Sequence, residues 1–103
     1  MEDLLKKEEQ RLTKAKNLGA KYRVNIEEDS KSLFLKEPDK TTYKMWYATY
    51  EDDPAGANET VVRTLTIKEV SDMEIFDDYK ALASVFQQLG DIMSLKKSTL
   101  QSL

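Results

Sequence analysis

Residues 22–50 read YRVNIEEDSKSLFLKEPDKTTYKMWYATY, and the pattern of this stretch decides the predicted fold. Residues 22–26 alternate between apolar and polar side chains, which is typical of a strand with one buried face. Residues 27–30 supply a polar turn, and residues 31–36 alternate again. Because Pro38 has no N–H to donate to a sheet, the second strand is expected to end there. The stretch therefore predicts a β-hairpin.

The second half of the stretch predicts a helix with an aromatic face. Asp39 occupies the position of a helix N-cap, and four rings then recur at i, i+3, i+4 and i+7, namely Tyr43, Trp46, Tyr47 and Tyr50. A two-stranded hairpin is marginal alone, so we expect this helix to cover the hairpin's apolar face. Core packing is the favoured interpretation of the aromatic stripe, and a partner-binding groove is the alternative. Three phenol rings on one helix also suggest that part of this face contacts another chain.

A charged helix is predicted before the hairpin, over residues 2–17. Its apolar stripe is thin, and acidic residues lead while basic residues follow, which suits the helix dipole. Gly19 is expected to end it. Residues 1–18 are therefore predicted to form a helix or arm that docks on a neighbouring molecule. Because the acidic and basic residues interleave, a solvated face is favoured over a nucleic-acid-binding arm.

Two more helices are predicted after the aromatic one. Asp53 followed by Pro54 is a helix start, so residues 54–65 are predicted helical, although the β-branched run 61–67 leaves a strand open. Ser71 and Glu74 have the spacing of a capping box. We expect it to start a long central helix over about residues 75–94, which carries the broadest apolar stripe of the chain.

Together these elements predict a fold of the α+β class. One β-hairpin packs with about four helices, most of the chain is α-helical, and the long C-terminal helix lies at the core. Residues 19–94 form the compact domain, and residues 95–103 form a tail that is either a frayed helix end or a docking peptide. The 103 residues suffice for one domain.

Composition argues against several classes of function. The net charge of −3 and the pI near 5.0 speak against a nucleic-acid-binding surface. The sequence has neither cysteine nor histidine, so no cofactor, metal or triad-based chemistry is expected. The acidic pairs are interpreted as a turn and two helix starts rather than metal ligands. No apolar run approaches ~18 residues and no secretory signal is visible, so no membrane contact is expected. We predict a protein that is not an enzyme.

Three segments of the sequence carry a resemblance to a known group of proteins. They are FLKEPDKTTYK at 34–44, EVSDMEIFDDYKALASVFQQL at 69–89 and KKSTL at 96–100. Together with the hairpin and the acidic-proline helix start, they resemble the small auxiliary structural (capsid) proteins of crAss-like tailed bacteriophages. More loosely, the chain is similar to phage tail-assembly chaperones, which also pair a short hairpin ending in a proline with a helical bundle.

The resemblance implies a non-enzymatic protein of the virion, assembled in the host cytoplasm, that binds other phage structural proteins. The main expectation is an auxiliary head component bound to the major capsid protein. The alternatives are a chaperone that binds tail proteins transiently and a small acidic inhibitor of a host protein; a homo-oligomer is also open. The expected partner-contacting side chains are apolar residues of the first helix, the aromatic helix and the tail: Leu5, Leu12, Trp46, Tyr50, Leu100 and Leu103.

Overall fold

A computed structural model describes residues 2–103 and has the predicted α+β architecture. Its helices are α1 (Glu2–Asn17), α2 (Lys40–Thr49), α3 (Pro54–Leu65) and α4 (Tyr79–Ile92); β1 (Tyr22–Ile26) and β2 (Lys31–Leu35) form one antiparallel hairpin. Short 3-10 helices cover Glu27–Asp29 and Met73–Asp77. No helix within residues 2–103 has the length and apolarity needed to cross a membrane.

The hairpin is the middle layer of the molecule. Its register runs from Tyr22 opposite Leu35 to Ile26 opposite Lys31. Both faces of β2 are buried after its first residue, because Leu33 and Leu35 face the main core while Ser32 and Phe34 face the other way. Simple alternation predicts only one buried face for this strand, and the structure covers both.

The main core lies between the hairpin, α3 and α4. Its buried members are Val24, Leu33, Leu35, Val61, Val62, Leu65, Ile75, Ala81, Leu82, Val85, Leu89, Ile92 and Met93. The expectation that α2 covers the hairpin is wrong, since α3 and α4 bring the broad aliphatic faces that pack on it. The rings of Tyr43 and Trp46 on α2 are only half-buried, at the edge of this core.

Two predicted helix starts are confirmed. The Asp39 carboxylate accepts a hydrogen bond from Thr42 N at 2.8 Å, and the Asp53 carboxylate accepts one from Gly56 N at 3.0 Å. Pro54 lies in the first turn of α3. These caps satisfy amides that the first turn of a helix otherwise leaves unpaired.

The predicted capping box at Ser71 and Glu74 is wrong. Ser71 Oγ accepts a hydrogen bond from Phe34 N at 2.9 Å, so it serves the edge of β2 rather than a helix. A 3-10 helix follows, and α4 begins only after Asp78, whose carboxylate accepts from Lys80 N and Ala81 N. The central helix therefore covers residues 79–92 instead of about 75–94.

The sequence allows either a helix or a strand at residues 61–67, and the structure contains part of each. The α3 helix continues to Leu65, and Thr66 then forms an isolated antiparallel bridge with Leu35. Ile67 N donates to Phe34 O at 2.9 Å. The end of this β-branched run thus pairs with the outer edge of β2, whereas the rest of it is helical.

The end of α1 is a Schellman motif. Ala20 N donates to Ala15 O at 2.9 Å, Gly19 N donates to Lys16 O at 3.1 Å, and Gly19 has a φ of 95°. This confirms the predicted stop at Gly19. A side chain at this position is strained, because L-residues with a Cβ rarely adopt positive φ.

Two glycine-to-alanine substitutions are expected to have opposite effects on stability. Gly90 lies exposed inside α4, and a Cβ added there meets nothing within 4 Å. Gly90→Ala should therefore raise the free energy of unfolding by about 0.5–1 kcal/mol. Gly19→Ala should lower it by about 1 kcal/mol or more, because of its positive φ. Urea unfolding measures both changes in free energy. Changes of the same sign would contradict the placement of Gly90 inside a helix and of Gly19 at a positive φ.

Candidate protein-interaction surfaces

The second half of α1 packs on the outer face of β2. Ala15 is buried there against Phe34, Ile67 and Val70, and Leu12 is half-buried beside them. The expectation that this helix docks on a neighbouring molecule is therefore wrong for its second half. The thin apolar stripe is enough to hold α1 on the hairpin because polar contacts add to the packing.

Arg11 is the first of these polar contacts. Its Nε donates to Val70 O at 2.8 Å, and its NH2 donates to the Asp72 carboxylate at 2.9 Å. The guanidinium also lies 5.2 Å from the centroid of the Phe34 ring, within cation–π range. One side chain thus ties α1 to the loop that closes the edge of β2.

Arg23 makes a second set of contacts from β1. Its Nε donates to Ser32 Oγ at 3.0 Å, and it forms an ion pair with Glu8 of α1. Its guanidinium lies 4.9 Å from the Phe34 ring centroid. The Phe34 ring is thus contacted by two arginines, and α1 is held to the hairpin from Glu8 to Ala15.

The loop after α3 closes the outer edge of β2. Ser32 N donates to the Asp72 carboxylate at 2.8 Å, and Asp72 N donates back to Ser32 O at 2.9 Å. Lys36 N donates to Leu65 O at 2.9 Å. Because every outward backbone amide of this edge has a partner here, β2 offers no free edge for strand addition.

The six predicted contact residues lie on three separate elements and have different exposures. Leu5 on α1 is 66% exposed, and the tail residues Leu100 and Leu103 are fully exposed. Leu12 and Trp46 are half-buried within their own chain, and Trp46 Nε1 donates to Asn58 Oδ1 at 3.0 Å. Tyr50 is 42% exposed, and its ring centroid lies 4.9 Å from that of Trp46.

Five further large apolar side chains are exposed but were not predicted as contacts. They are Leu4, Leu18, Tyr47, Tyr79 and Leu95. Tyr47 belongs to the aromatic stripe, so the stripe itself was the signal that could have identified it. The apolar stripe of the helix predicted over about residues 75–94 includes Tyr79, but α4 begins at this residue and its side chain is exposed.

A shallow groove of about 240 Å³ lies where the tail leaves the body. It is lined by Tyr43, Lys44, Trp46, Tyr47 and Leu95. Tyr43 Oη donates to Ile92 O at 3.0 Å, which fixes the end of α4 against α2. The start of the tail thus lies against the aromatic helix α2, while residues 96–103 are exposed to solvent.

Three acidic residues of the described chain cap helices. They are Asp39, Asp53 and Asp78, and hydrogen bonds from the Thr42 backbone and side chain hold the pKa of Asp39 below its usual value. Within residues 2–103, no group of three or more acidic, histidine or cysteine side chains is placed to hold a metal ion.

No protein-family model matches the chain, and neither does any curated protein or solved structure with which it was compared.

Proposed function

We propose that this chain is a non-enzymatic structural protein of a tailed bacteriophage that binds other virion proteins, as an auxiliary component of the head. The phage assignment rests on the sequence resemblance. The binding role rests on one structural observation: segments at both ends of the described chain carry exposed leucines and project from a well-packed body.

The dimensions of the molecule support projecting segments. Its radius of gyration is 16.0 Å and its longest extent is 63 Å, whereas a compact domain of this length has a radius of gyration near ~13 Å. The second half of α1 is fixed to the hairpin. The exposed leucines lie in the first turns of α1, with Leu4 and Leu5, and in the tail, with Leu100 and Leu103.

These projecting segments supply apolar anchors for a partner. Burying one leucine side chain on another protein contributes roughly 1.5–3 kcal/mol, from which the cost of ordering the segment must be subtracted. Several such anchors are therefore needed.

Cross-linking of purified phage particles tests this proposal at the natural lysines. Lys6 and Lys7 lie on the first turns of α1, Lys96 and Lys97 lie on the tail, and all four are exposed. We expect their cross-links to reach the major capsid protein. The exposed body lysine Lys68 is the control and should give few such links. Links from Lys68 alone would contradict the assignment of the binding segments.

One observation favours a second candidate, the acidic inhibitor of a host protein. Glu27, Glu28, Asp29 and Asp78 line one groove beside β1. Lys80 lies in the same groove and reduces its negative charge. If the purified chain inhibits a host enzyme and Glu27→Lys/Glu28→Lys abolishes that inhibition, this candidate replaces the structural one.

A further inference from the structure

The free edge of the hairpin belongs to β1. The outward backbone groups of this edge are at Ser32, Phe34 and Lys36, and all are bonded to the last residue of α3 or to the loop after it. The antiparallel register then directs the backbone groups of Tyr22, Val24 and Ile26 toward β2. Those of Arg23 and Asn25 must point away from it. In residues 2–103, these two amides and their carbonyls make no hydrogen bond to backbone groups outside the hairpin.

A groove runs along this free edge. Asn25, Ile26 and the turn after them line one wall, and α4 lines the other with Ser84 and Gln88; the volume is about 630 Å³. A second depression of about 400 Å³ continues it past Arg23 to Asp91. A free strand edge beside a helix is the geometry in which extended peptides add as a further strand.

The groove is acidic, and its charge favours a basic segment as the occupant. Five acidic residues line the two depressions, against the bases Lys80 and Arg23: the acids are Glu27, Glu28, Asp29, Asp78 and Asp91. The tail has the opposite character, because residues 92–103 contain Lys96 and Lys97 and no acidic side chain. The tail is also exposed, and residues 95–103 make no hydrogen bond in the part of the chain that the structure describes.

We propose that the tail of a second copy of this chain adds as a strand to the free edge of β1. Residues 95–103 are long enough, since nine extended residues reach ~30 Å and the five of β1 span roughly 17 Å. The start of the chain's own tail lies against α2, where Leu95 lines a groove with the aromatic side chains of that helix. Reciprocal exchange between two copies gives a closed dimer, and one-way donation gives an open chain.

Sedimentation velocity on the purified full chain tests this proposal directly. The chain should be monomeric at about 10 µM and increasingly associated toward about 1 mM, and added salt should weaken the association because it rests on charge. Amide exchange followed by NMR supplies the local readout. The amides of Arg23, Asn25 and the tail should become protected only when the chain associates.

A charge-matched pair of variants separates this edge contact from general electrostatics. Lys96→Glu/Lys97→Glu should weaken association about tenfold or more, because two attractive contacts with the groove become repulsive. Lys6→Glu/Lys7→Glu makes the same change of net charge on α1, and should leave association unchanged.

Several outcomes would overturn the proposal. A chain that stays monomeric at the highest concentration has no such contact. Equal weakening by both variants would mean that the tail is not the specific donor. Protection of the Arg23 and Asn25 amides in the dilute monomer would assign the edge to the chain's own tail. Because the experiment contains none of the other virion proteins, its failure leaves the proposed virion role untouched.

Discussion

Replacing Asp72 with alanine is expected to lower the free energy of unfolding by roughly 2–4 kcal/mol. The Asp72 carboxylate accepts hydrogen bonds from Ser32 N at 2.8 Å and from Arg11 at 2.9 Å, and both contacts are partly buried. The substitution leaves an edge amide of β2 without its acceptor and removes the ion-pair partner of Arg11. It should therefore loosen the contact between α1 and the hairpin, as measured by urea unfolding.

The contribution of Asp72 should depend on pH. Burial raises the pKa of Asp72, but the hydrogen bond from Ser32 N–H and the nearby Arg11 together outweigh it and hold the pKa below its usual value. An unfolded aspartate titrates near ~3.9, so the stabilisation is complete well above that pH and is lost as the pH falls through the folded-state pKa.

Comparison with Asp72→Asn isolates this carboxylate. The difference in unfolding free energy between the natural chain and the variant should be constant near neutral pH and shrink toward pH ~2. Asp52→Asn is the matched control, since Asp52 is exposed. A difference for Asp72→Asn that is independent of pH would contradict the account.

Replacing Leu33 with alanine is expected to lower the free energy of unfolding by about 2–5 kcal/mol. Leu33 is fully buried where the hairpin meets α3 and α4, so the shorter side chain leaves a cavity. A domain of this size is typically stable by only about 5–15 kcal/mol. The loss is thus a large share of the total and should appear in the midpoint of urea unfolding.

The same substitution in the tail is the control for Leu33→Ala. Leu100 is fully exposed, so Leu100→Ala should change the free energy of unfolding by less than about 0.5 kcal/mol. If Leu100→Ala destabilised the chain as much as Leu33→Ala, the tail would have to pack on the body, and it would no longer be a free binding segment.

Local signals in the sequence predict the elements that depend only on neighbouring residues. The alternation in residues 22–26 and 31–35, the caps at Asp39 and Asp53 and the stop at Gly19 are examples. Each of these signals involves residues that are only a few positions apart in the sequence. The α+β class follows from these elements alone.

The features that sequence reasoning missed depend on distant partners. Ser71 has the spacing of a capping residue, yet its hydroxyl accepts from Phe34, 37 residues away in sequence. Arg11 and Asp72 are separated by 61 residues. Neither pairing leaves a periodic trace in the sequence, which is why the docking of α1 on β2 and the role of Ser71 were not predicted.

The predicted contact residues also divide into those whose exposure follows from the local sequence and those whose burial depends on distant residues. Leu5, Leu100 and Leu103 belong to segments without a long-range partner in the described chain, so composition alone suggests that they are exposed. Leu12 and Trp46 were harder to assign, because their partial burial depends on Phe34 and its neighbours for Leu12 and on the main core for Trp46. The sequence also does not predict that the edge of β1 is free, because this depends on which strand the loop after α3 covers.

The central claim is that this chain is a fixed component of a phage particle. Mass spectrometry of purified particles, counting copies of this chain per copy of the major capsid protein, tests it most directly. We predict a constant ratio from one preparation to the next. Absence from mature particles, together with presence in infected cells, would contradict the claim and favour a tail-assembly chaperone that acts transiently.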